Sequence, residues 1–114
     1  MISQTLAQEV SQLEANLCFA LADPTRILIL YALDEQPRNV TELTADLGAT
    51  QPTISRHLKI LRDRGLVHTV RQGTTITYQL SDKRLTQALD LLRGVLRDNI
   101  SHRASLMEEL EAIV

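Results

Sequence analysis

Seven residues between positions 51 and 74 are candidates for hydrogen bonds to nucleotide bases and phosphates. Arginine and lysine donate to guanine edges and phosphate oxygens, whereas glutamine, serine and threonine donate and accept at base edges. The seven residues are Gln51, Thr53, Ser55, Arg56, Lys59, Arg71 and Thr74. Their types and close spacing predict a surface that contacts double-stranded DNA.

Helical geometry separates these residues from the apolar ones around them. At about 100° per residue, Ile54, His57, Leu58 and Leu61 fall on one arc of a helix and face a core. The opposite arc is polar and cationic and comprises Pro52, Ser55, Arg56, Lys59 and Asp63, flanked by Gln51 and Thr53. This arrangement is what a helix that enters the major groove needs.

Charge is concentrated in the same part of the chain. The 114 residues carry a net charge of −2, which taken as a sum argues against nucleic acid. Residues 1–47, however, hold seven acids and two bases, whereas residues 48–81 hold five bases and the single acid Asp63. A clustered basic segment of this kind, here called the basic island (residues 48–81), is typical of a surface for a polyanion.

The elements that position this surface follow from apolar periodicity and capping residues. Leu6, Val10, Leu13, Leu17 and Leu21 recur at helical spacing and predict a first helix. A second helix over about 24–33, capped by Asp23, is apolar nearly all round and is predicted to be the central buried helix. Two shorter helices follow, over about 40–47 and 51–64, which glycines at 48 and 65 end.

Beyond residue 65 the period changes from helix to strand. Alternating β-branched residues flank the turn pair Gln72-Gly73 and predict a two-stranded hairpin over about 66–80, with Arg71 and Thr74 near its tip. Ser81 and Asp82 offer an N-cap for a long last helix over about 82–113. The fold class is therefore mainly α with a two-stranded β-hairpin wing. We expect a single winged helix-turn-helix domain over 1–114, with the helix-turn-helix over about 40–64.

Three segments resemble the ArsR/SmtB family of transcriptional repressors. They are Leu21-Ala22-Asp23-Pro24-Thr25-Arg26-Ile27-Leu28, Gln51-Pro52-Thr53-Ile54-Ser55-Arg56-His57-Leu58-Lys59-Ile60-Leu61, and the wing end Thr77-Tyr78-Gln79-Leu80. The resemblance covers roughly residues 15–100. It implies a homodimeric repressor that dimerises through its N- and C-terminal helices and leaves its operator when an inducer, often a metal ion, binds.

The thiolate site of that family lacks its ligands here. The resemblance places it on the first helix of the helix-turn-helix, where this chain has Asn39, Thr41 and Thr44 instead of cysteines. Arsenic and cadmium prefer soft thiolate ligands. We therefore expect no arsenic- or cadmium-type site.

The zinc site of the family is also incomplete. Its positions on the last helix are occupied by Asp82, Arg84, Val95 and Asp98. An arginine and a valine cannot serve as ligands in a tetrahedral zinc site. We therefore expect no metal cofactor, and Asp82 is interpreted as a helix cap.

The remaining chemistry-bearing residues favour structural roles. His57 is expected to be packed or hydrogen-bonded in the core, and His68 to be structural in the first wing strand. His102 is the most plausible lone ligand or pH-sensitive group. Cys18 is expected to pack as a small hydrophobe. A dimer would bring two copies of Cys18 together, so a thiol sensor is the alternative for this residue.

These observations predict a sequence-specific DNA-binding regulator, a homodimeric repressor released by an unidentified small inducer. The alternative is a winged-helix dimerisation module that does not bind DNA. An enzyme is not expected, because the sequence contains no nucleophile–base pair, glycine-rich phosphate loop or paired catalytic carboxylates. No apolar run approaches the ~18 residues of a membrane span, so a cytoplasmic protein without a membrane partner is expected.

Overall fold

The computed structural model describes residues 1–113. Its N-terminal helix begins as α1 (Gln4–Leu13), passes through a π-helical turn (Glu14–Cys18) and ends as α2 (Phe19–Leu21). The predicted helix is present, but the sequence pattern does not predict the π-helical turn. Residues 1–16 are all exposed, so this helix contributes to the core only near its end, where Ala20 is fully buried.

Helix α3 (Pro24–Glu35) begins where the sequence predicts and continues two residues beyond Leu33. The Asp23 side chain caps it by accepting from the backbone N–H of Thr25 at 2.8 Å. Ile29 and Leu30 are fully buried, whereas Leu28 is exposed. Helix α3 contacts α2, both helices of the helix-turn-helix and the second wing strand, which agrees with the prediction of a central helix. The exposure of Leu28 nevertheless shows that its apolar residues are not all covered in the chain as described.

Helices α4 (Val40–Leu47) and α5 (Gln51–Asp63) form the predicted helix-turn-helix. Gly48 lies between them with a φ of 64°, and Gly65 follows α5 with a φ of 79°. Both values lie in the left-handed region that favours glycine, which explains why the helices end there.

Strands β1 (Val67–Gln72) and β2 (Thr75–Leu80) pair antiparallel and form the predicted wing. Gln72 pairs with Thr75, so Gly73 and Thr74 form a two-residue turn. Gly73 has a positive φ and Thr74 does not, which is the pattern of a type II′ hairpin turn. The core of residues 1–83 is built by α2 to α5 and the base of the wing, and its buried apolar residues are Ala20, Ile29, Leu30, Leu33, Leu43, Ile54, Leu58, Leu61, Leu66 and Val67.

The chain divides after Lys83, and the last unit is the 30-residue helix α6 (Arg84–Ile113). It begins two residues after Asp82, and the role of Ser81 or Asp82 as its cap stays a prediction. The single domain over residues 1–114 stays a prediction.

Among residues 1–113 no single helix is long and apolar enough to cross a membrane. One pair of helices, Gln4–Leu21 and Pro24–Glu35, meets the length and composition criteria jointly, but the two are bent by 85°.

Candidate nucleic-acid interface

Helix α5 carries five of the seven predicted DNA-contacting residues. Thr50 precedes it in extended conformation, and Pro52 lies in its first turn, where the missing amide donor costs nothing. Ile54, Leu58 and Leu61 are fully buried, as their helical spacing predicts. This buried face fixes which side of α5 is presented to solvent.

The opposite face of α5 is exposed and cationic. Gln51, Ser55, Arg56 and Lys59 are exposed, and Thr53 is half-buried. The Oγ1 atoms of Thr50 and Thr53 lie 2.8 Å apart, and Arg56 Nη2 donates to Thr53 Oγ1 at 3.5 Å. The structure thus brings these side chains together on one face, called the α5 polar face (Gln51, Thr53, Ser55, Arg56 and Lys59).

The other two predicted residues lie on the wing. Arg71 is exposed near the end of β1, and its Nε donates to the carbonyl of Gly73 at 3.2 Å. This bond holds the arginine against the turn. Thr74, also exposed, follows in the turn itself. The wing tip therefore offers one cation and one hydroxyl on an element separate from the α5 polar face.

The cations of the basic island have two different roles. Arg56, Lys59 and Arg71 are exposed, as is Arg62. Arg64 instead donates to the carbonyl of Ala15 in the π-helical turn, and its guanidinium lies 4.6 Å from the centre of the Phe19 ring. Arg64 is therefore a structural contact of α5 with the N-terminal helix.

A second contact of α5 involves His57, for which the sequence predicts a packed or hydrogen-bonded ring. Arg26 Nη1 lies 3.2 Å from His57 Nδ1, and Asp23 Oδ1 lies 3.9 Å from His57 Nε2. The prediction for His57 is confirmed. The role of Arg26 was not found by sequence reasoning, although the Asp23-Pro24-Thr25-Arg26 block was the available signal.

The ionisation of Asp23 reflects these neighbours. Desolvation would raise the pKa of this carboxyl, but hydrogen bonds from the backbone N–H groups of Arg26 and Thr25 favour the charged form. The nearby His57 and the Arg26 guanidinium act in the same direction, and the net result is a pKa below the ordinary 3.8. Asp23 is therefore a charged cap at neutral pH.

Arg38 connects the wing to the helix-turn-helix, a contact that sequence reasoning also missed. Its backbone pairs with Tyr78 of β2, with N···O distances of 2.8 and 3.2 Å. Its guanidinium bonds Asp46 of α4 at 2.8 Å and Glu35 at 2.9 Å. These contacts fix the base of the wing relative to α3 and α4.

The positions that correspond to the family's thiolate site have other functions. Asn39 caps α4 by accepting from the Glu42 N–H at 2.8 Å, and the Glu42 carboxylate accepts from the Asn39 N–H at 3.0 Å. This reciprocal pair is a capping box. Residues 1–113 contain no group of three or more His, Cys, Asp or Glu side chains that could hold a metal ion.

The remaining candidate residues are exposed. His68 lies 3.2 Å from Gln79 Oε1 on the neighbouring strand, which agrees with a structural role. His102 is exposed on α6. Cys18 is also exposed, so the expectation that it packs in a core is wrong for the described chain. It ends the π-helical turn, and the α-helical periodicity that placed it beside the buried residues does not hold through such a turn.

Comparison with known proteins identifies relatives for most of the chain. A family model described as "Bacterial regulatory protein, arsR family" matches residues 23–69. The HTH-type transcriptional regulator NmtR of Mycobacterium tuberculosis is 41% identical over 77% of this chain and 69% of that protein. An uncharacterized HTH-type transcriptional regulator of the same organism, Rv0081, is 33% identical over 93% of this chain and 94% of that protein.

Solved structures agree with these matches. NolR from Sinorhizobium fredii superposes with a TM-score of 0.72 at 32% identity, covering 83% of this chain and 94% of that chain. A second structure is the homodimeric winged helix-turn-helix DNA-binding domain of Mb0332 from Mycobacterium bovis, described as a possible ArsR-family transcriptional regulator. It superposes with a TM-score of 0.74 at 28% identity, covering 89% of this chain and 93% of that chain. The winged helix-turn-helix fold is therefore confirmed.

Proposed function

Because the chain belongs to the ArsR family of bacterial transcription regulators, we propose that it is a homodimeric repressor. It binds operator DNA through the α5 polar face and the wing, and it leaves the operator in response to a signal. The observation that carries the proposal is the α5 polar face, which is exposed and cationic opposite a fully buried apolar face. A helix with this division can enter a major groove without exposing its core residues.

Side-chain chemistry indicates which residues of the interface contact bases and which contact phosphates. Gln51, Ser55 and Arg56 have the donors and acceptors that read base edges, whereas Arg71 on the wing supplies charge to phosphate oxygens. Base contacts determine which sequence is bound, and phosphate contacts determine register and overall affinity. Both groups of contacts are therefore needed for an operator complex.

Dimerisation is supported by the apolar residues that two helices expose. Leu6, Val10 and Leu13 are about half exposed along α1. Helix α6 exposes a longer series, which comprises Leu92, Val95, Leu96, Ile100, Met107, Leu110 and Ile113. Contiguous apolar surface of this extent marks an interaction site. A second copy of the chain is the proposed partner, as in the homodimeric Mb0332 domain.

The signal is proposed to act outside the two metal sites named for the family. Asn39 is committed to the capping box of α4, and Thr41 offers a hydroxyl instead of a thiolate. At the zinc positions Arg84 and Val95 supply no ligand atom suited to zinc. The inducer is therefore proposed to be something other than arsenite, cadmium or zinc bound at these positions.

A gel-shift titration with DNA from upstream of the gene tests the proposal. Retardation that survives excess unrelated DNA, but not excess unlabelled upstream DNA, is expected. If no shift forms, the chain is a dimerisation module without operator binding. If a stoichiometric metal ion abolished the shift, and substitution of Asn39, Thr41 or Asp82 abolished binding of that metal, the proposal on the signal would be wrong.

A further inference from the structure

Arg26, at the start of α3, is a buried cation whose N–H groups are directed at separate acceptors. Only 8% of the residue is exposed. Its Nε donates to the carbonyl of Ala20 at 2.7 Å, and its Nη2 donates to the carbonyl of Phe19 at 3.2 Å. Both carbonyls lie in the last turn of the N-terminal helix, where the Phe19 carbonyl also accepts from the Ala22 N–H at 3.2 Å. Arg26 therefore closes the end of that helix.

The third contact of Arg26 indicates which ring nitrogen of a neutral His57 accepts a hydrogen bond. Nη1 lies 3.2 Å from His57 Nδ1. Since a guanidinium has no acceptor and keeps its protons, Nδ1 must be the acceptor, and a neutral ring then carries its proton on Nε2. Nε2 faces Asp23 Oδ1 at 3.9 Å. The ring thus lies between a donor on one side and a carboxylate on the other.

This contact acts on the orientation of α5. Packing of Ile54, Leu58 and Leu61 is apolar and has little directional preference. A hydrogen bond to His57, which lies among them, is directional and restricts rotation of α5 about its axis. Rotation of α5 would move Arg56 and Lys59, on the opposite face, relative to a groove.

We propose that Arg26 and His57 are positioning residues for operator binding, through which the end of the N-terminal helix sets the orientation of α5. The inference rests on the proposed DNA binding. Arg26 and Asp23, both from the start of α3, are the charged groups that face the ring.

Two substitutions separate the hydrogen bond from the packing of the ring. In His57→Asn the amide oxygen replaces Nδ1 as an acceptor for Arg26, whereas His57→Leu fills similar space with no acceptor. Fluorescence anisotropy with the operator fragment gives the Kd of each variant over a range of salt concentration. His68→Asn and His102→Asn, which remove the other two histidines, are the matched controls.

The proposal predicts a loss of about 10-fold in affinity for His57→Leu, with a shallower dependence of log Kd on log salt because phosphate contacts are misplaced. His57→Asn binds within about 3-fold of the unsubstituted protein, and both controls bind like the wild type. If His57→Leu kept the wild-type Kd and salt slope, or if His57→Asn lost as much affinity as His57→Leu, the proposal would be overturned.

A measurement on the unsubstituted protein keeps the proposal testable if His57→Leu does not fold. Ring ¹⁵N chemical shifts at about pH 8 report which nitrogen of His57 carries the proton. A proton on Nε2 is expected, and a proton on Nδ1 would overturn the proposal. This readout needs no DNA, so its failure is distinct from failure of the proposed function, which absence of operator binding by the wild-type protein would show.

Discussion

Arg56 combines exposure with the chemistry that recognises guanine. It lies on the α5 polar face, and its hydrogen bond to Thr53, at 3.5 Å, leaves most of its donors available to DNA. Arg56→Ala should therefore weaken operator binding by about 10-fold or more and leave the melting temperature unchanged. Anisotropy titration and thermal unfolding measure the two quantities.

A matched control removes an arginine outside the basic island. Arg97 is exposed on α6, so Arg97→Ala changes the net charge equally without altering the α5 polar face. It should bind the operator like the wild type. Equal losses for Arg56→Ala and Arg97→Ala would mean that Arg56 contributes only net charge.

Asp23 allows a prediction on stability and pH. Its pKa is lowered in the folded protein, so its stabilising contribution is present above the unfolded value and disappears as the pH falls through the folded value. Asp23→Ala should lower the free energy of unfolding by about 1 kcal/mol at neutral pH. The difference from wild type should shrink below the ordinary value of 3.8. Urea unfolding of both proteins at neutral and acid pH measures this difference in the free energy of unfolding. If the difference grew on acidification, Asp23 would not be a charged cap that stabilises the fold.

Single-residue roles were predictable where they depend on helical period and not where they depend on tertiary contacts. The spacing of Ile54, Leu58 and Leu61 predicted their burial, because a helix with one apolar stripe must cover it. The acceptors of Arg26 lie at the end of another helix. Nothing in the local sequence indicates that those two carbonyls and the arginine meet.

At the scale of elements, the wing is expected to contribute charge without sequence discrimination. Arg71 is held against the turn by its bond to the Gly73 carbonyl and has its guanidinium exposed. Arg71→Ala should weaken binding to operator and unrelated DNA by the same factor, and the salt slope should fall by about 1. Titrations at several salt concentrations on both DNAs measure this. A loss confined to the operator would instead assign base readout to the wing.

The elements differ in how far local sequence determines them. Glycines at 48 and 65 and the turn at Gly73 mark boundaries because their φ values, 64°, 79° and 64°, favour residues without a side chain. The π-helical turn has no such glycine signal, and its Ala15 carbonyl accepts from Arg64, a residue distant in the sequence. The exposure of Cys18 was missed for the same reason.

At the scale of the whole molecule, the net charge of −2 conceals an uneven distribution of charge. The bases of residues 48–81 lie on α5, at its C-terminal end and on the wing, whereas residues 1–47, which include α4, are acidic. We expect these acidic residues to disfavour DNA outside the proposed interface.

Dimerisation gives the corresponding prediction for assembly. The 12.8 kDa chain should have twice that mass in solution. Leu96→Glu places a charge among the exposed apolar residues of α6 and should yield a folded monomer, because burying an unpaired carboxylate in an interface is costly. Sedimentation equilibrium measures the mass, and Ser105→Glu, on the opposite side of α6, is the control that should remain dimeric. A dimeric Leu96→Glu would place the interface elsewhere.

The central claim is that two copies of α5 read one operator, and hydroxyl-radical footprinting of the wild-type protein on upstream DNA tests it directly. We predict two protected half-sites on one face of the duplex, related by a pseudo-twofold axis and separated by about one helical turn or a multiple of it. Protection of a single half-site, or uniform protection that does not depend on sequence, would contradict the account.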